Sequence, residues 1–222
     1  MSSAGVETRQ RILNVAEHMF AEQGFAGSSL RRIIGAAEVN LAAVHYHFRS
    51  KEALLEAVLI RRIGPLNQER LALLDSYEMA AGKKGPKLED VLTAFFAPPM
   101  RMILQNNDGR IFGKLIGRLH SETTTMFMTI SKKHFAPVAQ RFRASIERAL
   151  PGVSTEELYW RMHFAMGVMA HTLSCWDQLE VLSDGLCRVS DADSVIPRLV
   201  DFVAAGFRAP VRQTRKRAQR RS

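Results

Sequence analysis

The chain has 222 residues, of which 46% are hydrophobic and 24% are charged, and its formal net charge is +9. Such a chain can bury the core of one or two modest domains. No apolar run reaches the roughly 18 residues of a membrane span, and the N-terminus has no apolar signal core, so we predict a soluble cytoplasmic protein with no membrane contact.

Three helices are predicted at the N-terminus. Thr8 is a suitable N-cap for the first helix, and Gly24 is a suitable end. The inner stripe of this helix contains Ile12, Val15, Ala16, Met19 and Phe20. We expect this helix to pack beneath the two helices that follow it.

Residues 29–51 have the pattern of a helix-turn-helix. The first helix, which Ser29 can cap, has an inner apolar stripe and a basic outer edge that includes Arg31. After a bend at residues 38–40, Asn40 is a suitable N-cap for the second helix. The second helix has an inner seam of Val44 and Phe48 and an outer face of Leu41, Ala42, His45 and Tyr46.

The chemistry of these side chains favours DNA as the partner. Small residues at the start of the second helix let it approach the base edges in the major groove, and polar or basic groups around it can bond to phosphates. The predicted contacts are Ser29, Arg31 and Lys51 to phosphate, Leu41, Ala42 and Ala43 at the groove face, and His45, Tyr46 and His47 in mixed contacts.

The run VNLAAVHYHFRSKEALL, residues 39–55, resembles the N-terminal domain of TetR-family transcriptional regulators, and the resemblance extends back to about Thr8. It implies an all-α fold with an N-terminal three-helix helix-turn-helix head and a C-terminal helical ligand-binding and dimerisation domain. Two positions depart from the family pattern. Glu38 stands at the turn where the family usually has glycine, so we expect strain or a reshaped bend there, and His45 stands where tyrosine is most frequent.

A long helix is predicted from Ser50 to about Ala80. Gly64 and Pro65 interrupt its pattern, and we expect a kink or break there because proline lacks a donor and crowds the preceding turn. By the resemblance, this helix is the lever through which the distal domain moves the head. The Gly64-Pro65 pair is then either a joint or a fixed bend, and both interpretations stay open.

The region after the linker at residues 82–86 is predicted to be wholly helical, which gives about nine helices in all. No strand-like alternation or internal repeat competes with this interpretation. The predicted helices cover 88–105 with a disturbance at Pro98-Pro99, 109–120, 123–150 with a disturbance at Pro137, a long helix from Ser154, and a last helix from 195 to 207. We divide the chain into a DNA-binding domain (1–60), an effector-binding and dimerisation domain (61–209) and a basic disordered tail (210–222).

The last two predicted helices carry more apolar residues than one buried face can hold. In proteins of the TetR type the last two helices pair with their copies as a four-helix interface, and the resemblance therefore implies a homodimer. A monomeric core is the alternative, and we favour the dimer because a monomer leaves this apolar excess without a partner.

The middle helices contain apolar and polar residues that suit a pocket for a small molecule. Ordinary core packing is the alternative for each of them, because a methionine or aromatic stripe at helical spacing is common in cores. The predicted ligand-binding residues are Phe96, Met100, Phe112, Arg118, Met126, His163, Met166, His171 and Trp176. The stretch YWRMHFAMG, residues 159–167, is similar to a branch of the family that responds to lipophilic effectors, so we expect a fatty-acyl or aromatic ligand.

Metal and enzyme chemistry are not indicated. Cys175 and Cys187 have neither CxxC nor zinc-ribbon spacing, and His163 and His171 are too far apart for an i, i+4 zinc pair. No phosphate loop, dinucleotide motif or nucleophile turn occurs. We therefore predict no metal and no cofactor.

The basic tail accounts for most of the net charge. From Arg208 onward there are seven basic residues and no acidic ones, so the rest of the chain carries only +2. The tail either adds sequence-independent attraction to DNA or is a solubilising end, and we favour the second because it follows the dimer helices.

Together these features predict a repressor that binds a palindromic DNA operator as a dimer and is released by a small lipophilic effector. The palindrome follows from a two-fold dimer, since one short helix reads only a few base pairs. The alternatives are a helical enzyme and a DNA-binding adaptor that has no small-molecule effector.

Overall fold

The computed structural model describes residues 3–122, 125–188 and 191–211, and in these ranges the chain forms α-helices and no β-strand. The predicted all-α fold is confirmed, with eleven α-helices in the described ranges where the sequence indicated nine. They are α1 (Ser3–Gly27), α2 (Leu30–Ala36), α3 (Leu41–Phe48), α4 (Lys51–Ala81), α5 (Leu88–Gln105), α6 (Asn107–Ser121), α7 (Thr125–His134), α8 (Ala136–Ala149), α9 (Thr155–Ser174), α10 (Trp176–Leu182) and α11 (Ala192–Arg208).

The two additional helices have local causes. Pro137 lies in the first turn of α8, where a proline is tolerated because its missing N–H has no partner there, so the predicted 123–150 helix is two helices. Cys175 has non-helical backbone angles and separates α9 from the short α10. Four helix starts carry the expected side-chain caps, which accept the backbone N–H three residues on: Ser29, Asn40, Ser50 and Ser154. Asn106 and Asp191 cap two further helices in the same way. The cap predicted at Thr8 is wrong, because α1 begins at Ser3 and Thr8 lies inside it.

We expected a kink or a break at Gly64 and Pro65, and α4 runs through both residues without interruption, so a break there is wrong. The proline removes one backbone hydrogen bond, but Ile63 and Leu66 on either side are both buried. Tertiary packing of the two halves therefore outweighs the local effect of the proline. Helix α5 likewise continues through Pro98 and Pro99, both of which are buried.

The buried side chains form two clusters. One joins the C-terminal half of α4 with α5, α8, α9 and α11. The other is the core of the N-terminal head, and it also contains Phe112, Leu115 and Leu119 of α6 and Ile130 of α7. The head therefore shares its core with the helical region that follows it.

Helix α6 packs closely against its neighbours because of a row of glycines at spacing four. A Cβ on Gly113 would lie 2.7 Å from the carbonyl oxygen of Leu173, and a Cβ on Gly117 would lie 2.5 Å from the Cβ of Ser174. At its other end, the Glu122 carboxylate accepts the backbone N–H of Phe25 at 3.3 Å. Helix α6 therefore connects the end of α9 with the end of α1.

Candidate functional site

The second helix of the predicted helix-turn-helix is α3, and its orientation is fixed by two buried residues. Val44 and Phe48 are buried in the head, as the sequence predicts. Asn40 caps the helix by accepting the backbone N–H of Ala43 at 2.7 Å. Tyr46 is 78% exposed on the opposite side, and its ring meets that of His47 edge-on with centroids 5.0 Å apart. The outer face of α3 is therefore open to a partner.

Several predicted contact residues can be placed only in part. The backbone of Leu41, Ala42 and His45 lies in α3, but their side chains lie outside the described part of the structure. Ala43 and His47 are half-buried beside the open face. The groove-face contacts predicted for α3 therefore remain predictions.

The residues predicted to contact phosphate lie around α3. Ser29 caps α2 by accepting the backbone N–H of Arg32 at 3.3 Å, and Arg31 is exposed. The Lys51 ammonium donates to the carbonyl oxygen of Ser28 at 2.5 Å and lies 4.2 Å from the centroid of the Phe25 ring. An ammonium has three donors, so Lys51 can tie α4 to the end of α1 and still donate to a phosphate.

Two left-handed residues frame α3. Glu38 has a φ of 52°, so the bend keeps the left-handed conformation that glycine adopts most easily, and the expected departure appears as strain. Arg49, which follows α3, has a φ of 61° and is exposed. It is a further candidate for phosphate that the sequence analysis missed. The sequence pattern that could have indicated Arg49 is a basic residue directly after Phe48, the last buried residue of α3.

A buried carboxylate ties the head to the rest of the molecule. Glu17 of α1 forms ion pairs with both Arg61 and Arg62 of α4, with 3.1 Å between its Oε1 and the Arg62 Nε. Arg62 also approaches Asp108 of α6, with 3.5 Å between Nη2 and Oδ2. Because Glu17 is almost inaccessible to water, loss of its partners would leave an uncompensated buried charge.

An apolar cavity of about 60 Å³ lies between α5, α8, α9 and α11. Of the predicted ligand residues, it brings together Phe96 and Met166. Its other lining residues are Leu92, Phe95, Ala139, Phe142, Ile146, Met162, Ala165 and Phe207. A drug-sized ligand needs about 300 Å³ or more, so a ligand could enter only if these side chains moved apart.

The remaining predicted ligand residues do not line this cavity. Met100 is buried in the same cluster, whereas Phe112 belongs to the core of the head. Arg118 faces Glu122 at 3.9 Å, and His163 and His171 lie exposed on α9. The side chains of Met126 and Trp176 lie outside the described part of the structure. Helical periodicity could not distinguish the inner face of α9 from its outer face, because both are apolar.

A buried arginine that the sequence analysis missed lies beside the cavity. The side chain of Arg70 is 2% exposed, and burial lowers its pKa to about 9. Its guanidinium lies 4.4 Å from the centroid of the Phe95 ring, which lines the cavity. The sequence contained a signal, because Arg70 stands between Leu66 and Leu74 at spacing four, in the middle of an apolar stripe.

Large apolar side chains remain exposed on α9 and α11. Phe164 is 60% exposed and stacks on Trp160, with ring centroids 5.9 Å apart, and Phe202 of α11 is 69% exposed. Tyr159 is also exposed next to Trp160. Large exposed apolar side chains of this kind mark a candidate interaction surface.

The described ranges offer neither a metal-binding cluster nor a helix that could span a membrane. They contain no group of three or more His, Cys, Asp or Glu side chains that could hold a metal ion. Cys175 and Cys187 are both free. None of the helices in the same ranges has the length and apolar character needed to cross a bilayer.

Comparison of the sequence with known proteins supports one family. Residues 12–58 match the family model for bacterial regulatory proteins of the tetR family. Among curated relatives, UidR of Escherichia coli K12, an HTH-type transcriptional regulator, is 36% identical over 61 residues, which is 28% of this chain and 31% of UidR. The HTH-type transcriptional repressor NemR of the same strain is 29% identical over 116 residues, which is 52% of this chain and 54% of NemR. The matches thus span between a third and about half of these relatives.

Solved structures show the same fold over most of the chain. A TetR family transcription regulator from Shewanella sp. PV-4 has a TM-score of 0.60 at 19% identity and covers 90% of this chain and 95% of its own. FadR from Bacillus halodurans has a TM-score of 0.62 at 12% identity and covers 91% and 97%. Residues 93–206, just over half of the 222 residues, match the family model for the tetracyclin repressor-like C-terminal domain. With both its head and its C-terminal region matched, the chain belongs to the TetR family of transcriptional regulators.

Proposed function

We propose that the protein is a ligand-responsive repressor that binds a palindromic operator as a homodimer and leaves it when a lipophilic effector enters the helical domain. The observation that carries this proposal is the course of α4. It begins at Lys51 beside the open face of α3 and continues unbroken to the buried Arg70 and the cavity region. A ligand-driven shift at one end of this helix would move the head at the other.

The proposed DNA surface is the open face of α3 with the basic residues around it. Proposed phosphate contacts are Ser29, Arg31, Arg49 and Lys51, and proposed groove contacts are Leu41, Ala42, Ala43, His45, Tyr46 and His47. Arg31 and Arg49 are exposed on this surface, which supports their assignment. We keep the proposed division at residue 60, which places these residues in the DNA-binding domain.

The proposed dimer forms through α9 and α11, because they carry the exposed rings of Trp160, Phe164 and Phe202. Phe164→Asp should convert the dimer to monomers in sedimentation experiments, since it puts a charge in an apolar interface. Met79→Asp is the matched control, because Met79 is also an exposed apolar residue, at 81%, but lies on α4. Equal behaviour of the two variants would contradict this interface.

Footprinting on the DNA upstream of the coding region, together with selection from random DNA, tests the repressor proposal. We expect a protected palindrome, and lack of any protected or selected palindrome would overturn the proposal. Arg31→Ala should weaken binding at all sequences alike and lower the salt slope by about one, because it removes one phosphate contact. Lys83→Ala, in the exposed linker after α4, is the control and should leave the slope unchanged.

A further inference from the structure

Two arginines are buried in the described ranges, and their surroundings differ. Arg161 is 6% exposed, forms an ion pair with Glu157 at 2.8 Å, and donates to the carbonyl oxygens of Phe207 and Ala209. Arg70 is buried more deeply, and within the described ranges no carboxylate lies at ion-pairing distance from it. The carboxylate of Glu69, its neighbour in sequence, acts on the charge of Arg70 only from beyond that distance, and burial has the larger effect on the Arg70 pKa. A buried cation without a counter-charge is normally excluded from a protein core.

Within the described part of the chain, the hydrogen-bond partners of Arg70 are neutral groups. Its Nε donates to the carbonyl oxygen of Phe95 at 2.9 Å, Nη1 donates to the Asn67 side chain at 3.2 Å, and Nη2 lies 3.5 Å from the sulfur of Met169. A thioether sulfur is a weak acceptor, and a guanidinium has five N–H donors. The terminal nitrogens of Arg70 therefore have donor capacity that these neighbours do not use well.

Two of these contacts have a structural role. The Nη1 donation satisfies the amide oxygen of the buried Asn67, whose Nδ2 donates to the carbonyl oxygen of His134 at 3.4 Å, and a neutral donor could replace it. The Nε donation satisfies the carbonyl oxygen of Phe95. In a helix the carbonyl of Phe95 would accept the N–H of residue 99, but residue 99 is proline and has none. The Arg70 Nε takes that place. A neutral donor such as an amide would serve equally well there, so this contact does not account for a full positive charge in the core.

The charged side chain of Arg70 lies next to the apolar cavity. The Phe95 ring lines the cavity and also lies over the guanidinium, so one aromatic side chain stands between the cation and the apolar space. The lining residues that the structure describes are all apolar. A molecule with an apolar body and one anionic end would match this arrangement if the Phe95 ring moved aside.

We propose that the effector is a lipophilic carboxylate and that Arg70 binds it. The apolar part of the effector would occupy the cavity, and its carboxylate would pair with the Arg70 guanidinium. This inference rests on the proposed effector-controlled function and specifies its ligand class. Arg70 lies on α4, the helix that begins at the head. The ion pair would therefore act directly on the element that positions α3.

Titration calorimetry on the full-length protein tests this assignment. The probes are straight-chain carboxylates from octanoate to palmitate, each compared with the primary amide of the same length. In the unmodified protein we expect the best carboxylate to bind at least about tenfold more tightly than its amide, since a hydrogen bond to a charged group is stronger than one to a neutral group. Arg70→Gln keeps an amide donor for the Phe95 carbonyl and should abolish this preference.

Arg161→Gln is the matched control, and it separates a binding role from a structural one. It breaks a buried ion pair, so it should lower the melting temperature by several degrees, whereas Arg70→Gln should leave the melting temperature unchanged or raise it. An equal loss of stability in the two variants would mean that Arg70 is structural and would overturn the inference.

The remaining outcomes distinguish the ligand class from the proposed function. Equal binding of carboxylates and amides, unchanged by Arg70→Gln, would overturn the role of Arg70 but leave a lipophilic effector in place. If only decanoyl-coenzyme A bound, with equal affinity for the unmodified protein and for Arg70→Gln, the role of Arg70 would also be overturned, because a thioester has no free carboxylate. A lipophilic effector would again stay in place. If no probe bound, both the role of Arg70 and the lipophilic effector would be contradicted. The footprinting experiment would then decide separately whether the protein binds an operator.

Discussion

Substitution of Glu38 by glycine should stabilise the protein. Glu38 lies in the bend between α2 and α3, where its φ of 52° is left-handed and its N–H donates to the carbonyl oxygen of Gly35 at 3.2 Å. A side chain with a Cβ is strained in this conformation, because the Cβ comes too close to the following carbonyl oxygen. Glycine has no Cβ and adopts the same angles freely.

The expected gain is small but measurable. Left-handed backbone costs a non-glycine residue about 1–2 kcal/mol, and the greater chain entropy that glycine loses on folding offsets about 0.5–1 kcal/mol of this. The net stabilisation is therefore about 0.5–1 kcal/mol. For a protein of this length that corresponds to a rise of about 1–4 °C in melting temperature.

Two further variants separate backbone strain from charge. Glu38→Gln removes the charge but keeps the Cβ, and Glu38→Asn introduces a residue that tolerates left-handed angles. Calorimetry at a fixed protein concentration should rank glycine above asparagine, and asparagine above glutamine and the native residue. DNA affinity should instead follow charge and rise equally in the glycine and glutamine variants. If Glu38→Gly were no more stable than Glu38→Gln, the assignment of strain to this bend would be wrong.

Three other predictions follow from the packing and charges. Gly113→Ala should destabilise the protein by about 1–3 kcal/mol in denaturant titrations, because the added Cβ would overlap the backbone of α9. Gly64→Ala in α4 should instead stabilise the protein by about 1 kcal/mol, because its Cβ would meet open space. The opposite order of stability would contradict the close packing of α6. The Arg141 guanidinium lowers the pKa of Glu78 to about 2, so the native state is stabilised above pH 4.5 and loses this stabilisation as the pH falls towards 2. Glu78→Gln should flatten the plot of unfolding free energy against pH in this range. An unchanged plot would refute the stabilising role of the Glu78 carboxylate. Truncation after Ala209 should leave the salt slope of DNA binding unchanged. The tail begins next to Arg208, which pairs with Glu89 at the start of α5, and this point follows the end of α4 that is distant from the head. A smaller slope in the truncated protein would show that the tail binds DNA.

The head was predictable because its determinants are local. The seam of Val44 and Phe48 follows from helical spacing, and Asn40 and Ser50 cap their helices through neighbours within three residues. The same local reasoning failed at Pro65, where distant packing holds the helix together.

The cavity and its neighbouring charge depend on contacts between distant segments. Phe96 and Met166 meet across 70 residues of chain, and His163 and His171 face outward on a helix that is apolar on both sides. Spacing within one helix contains no information about which face meets which partner. Arg70 was visible as a cation in an apolar stripe, but only the three-dimensional structure shows that it is buried and that its hydrogen-bond partners in the described ranges are neutral.

The shared core of the head limits how this regulator could be recombined. Phe112, Leu115 and Leu119 of α6 complete the core around α1 and α4, so a fragment that ended near residue 60 would expose an apolar surface to water. The reading head is therefore not an interchangeable module. A chimera that joined a foreign head to this helical domain would need a matching α6, because that one helix serves both as core and as connection.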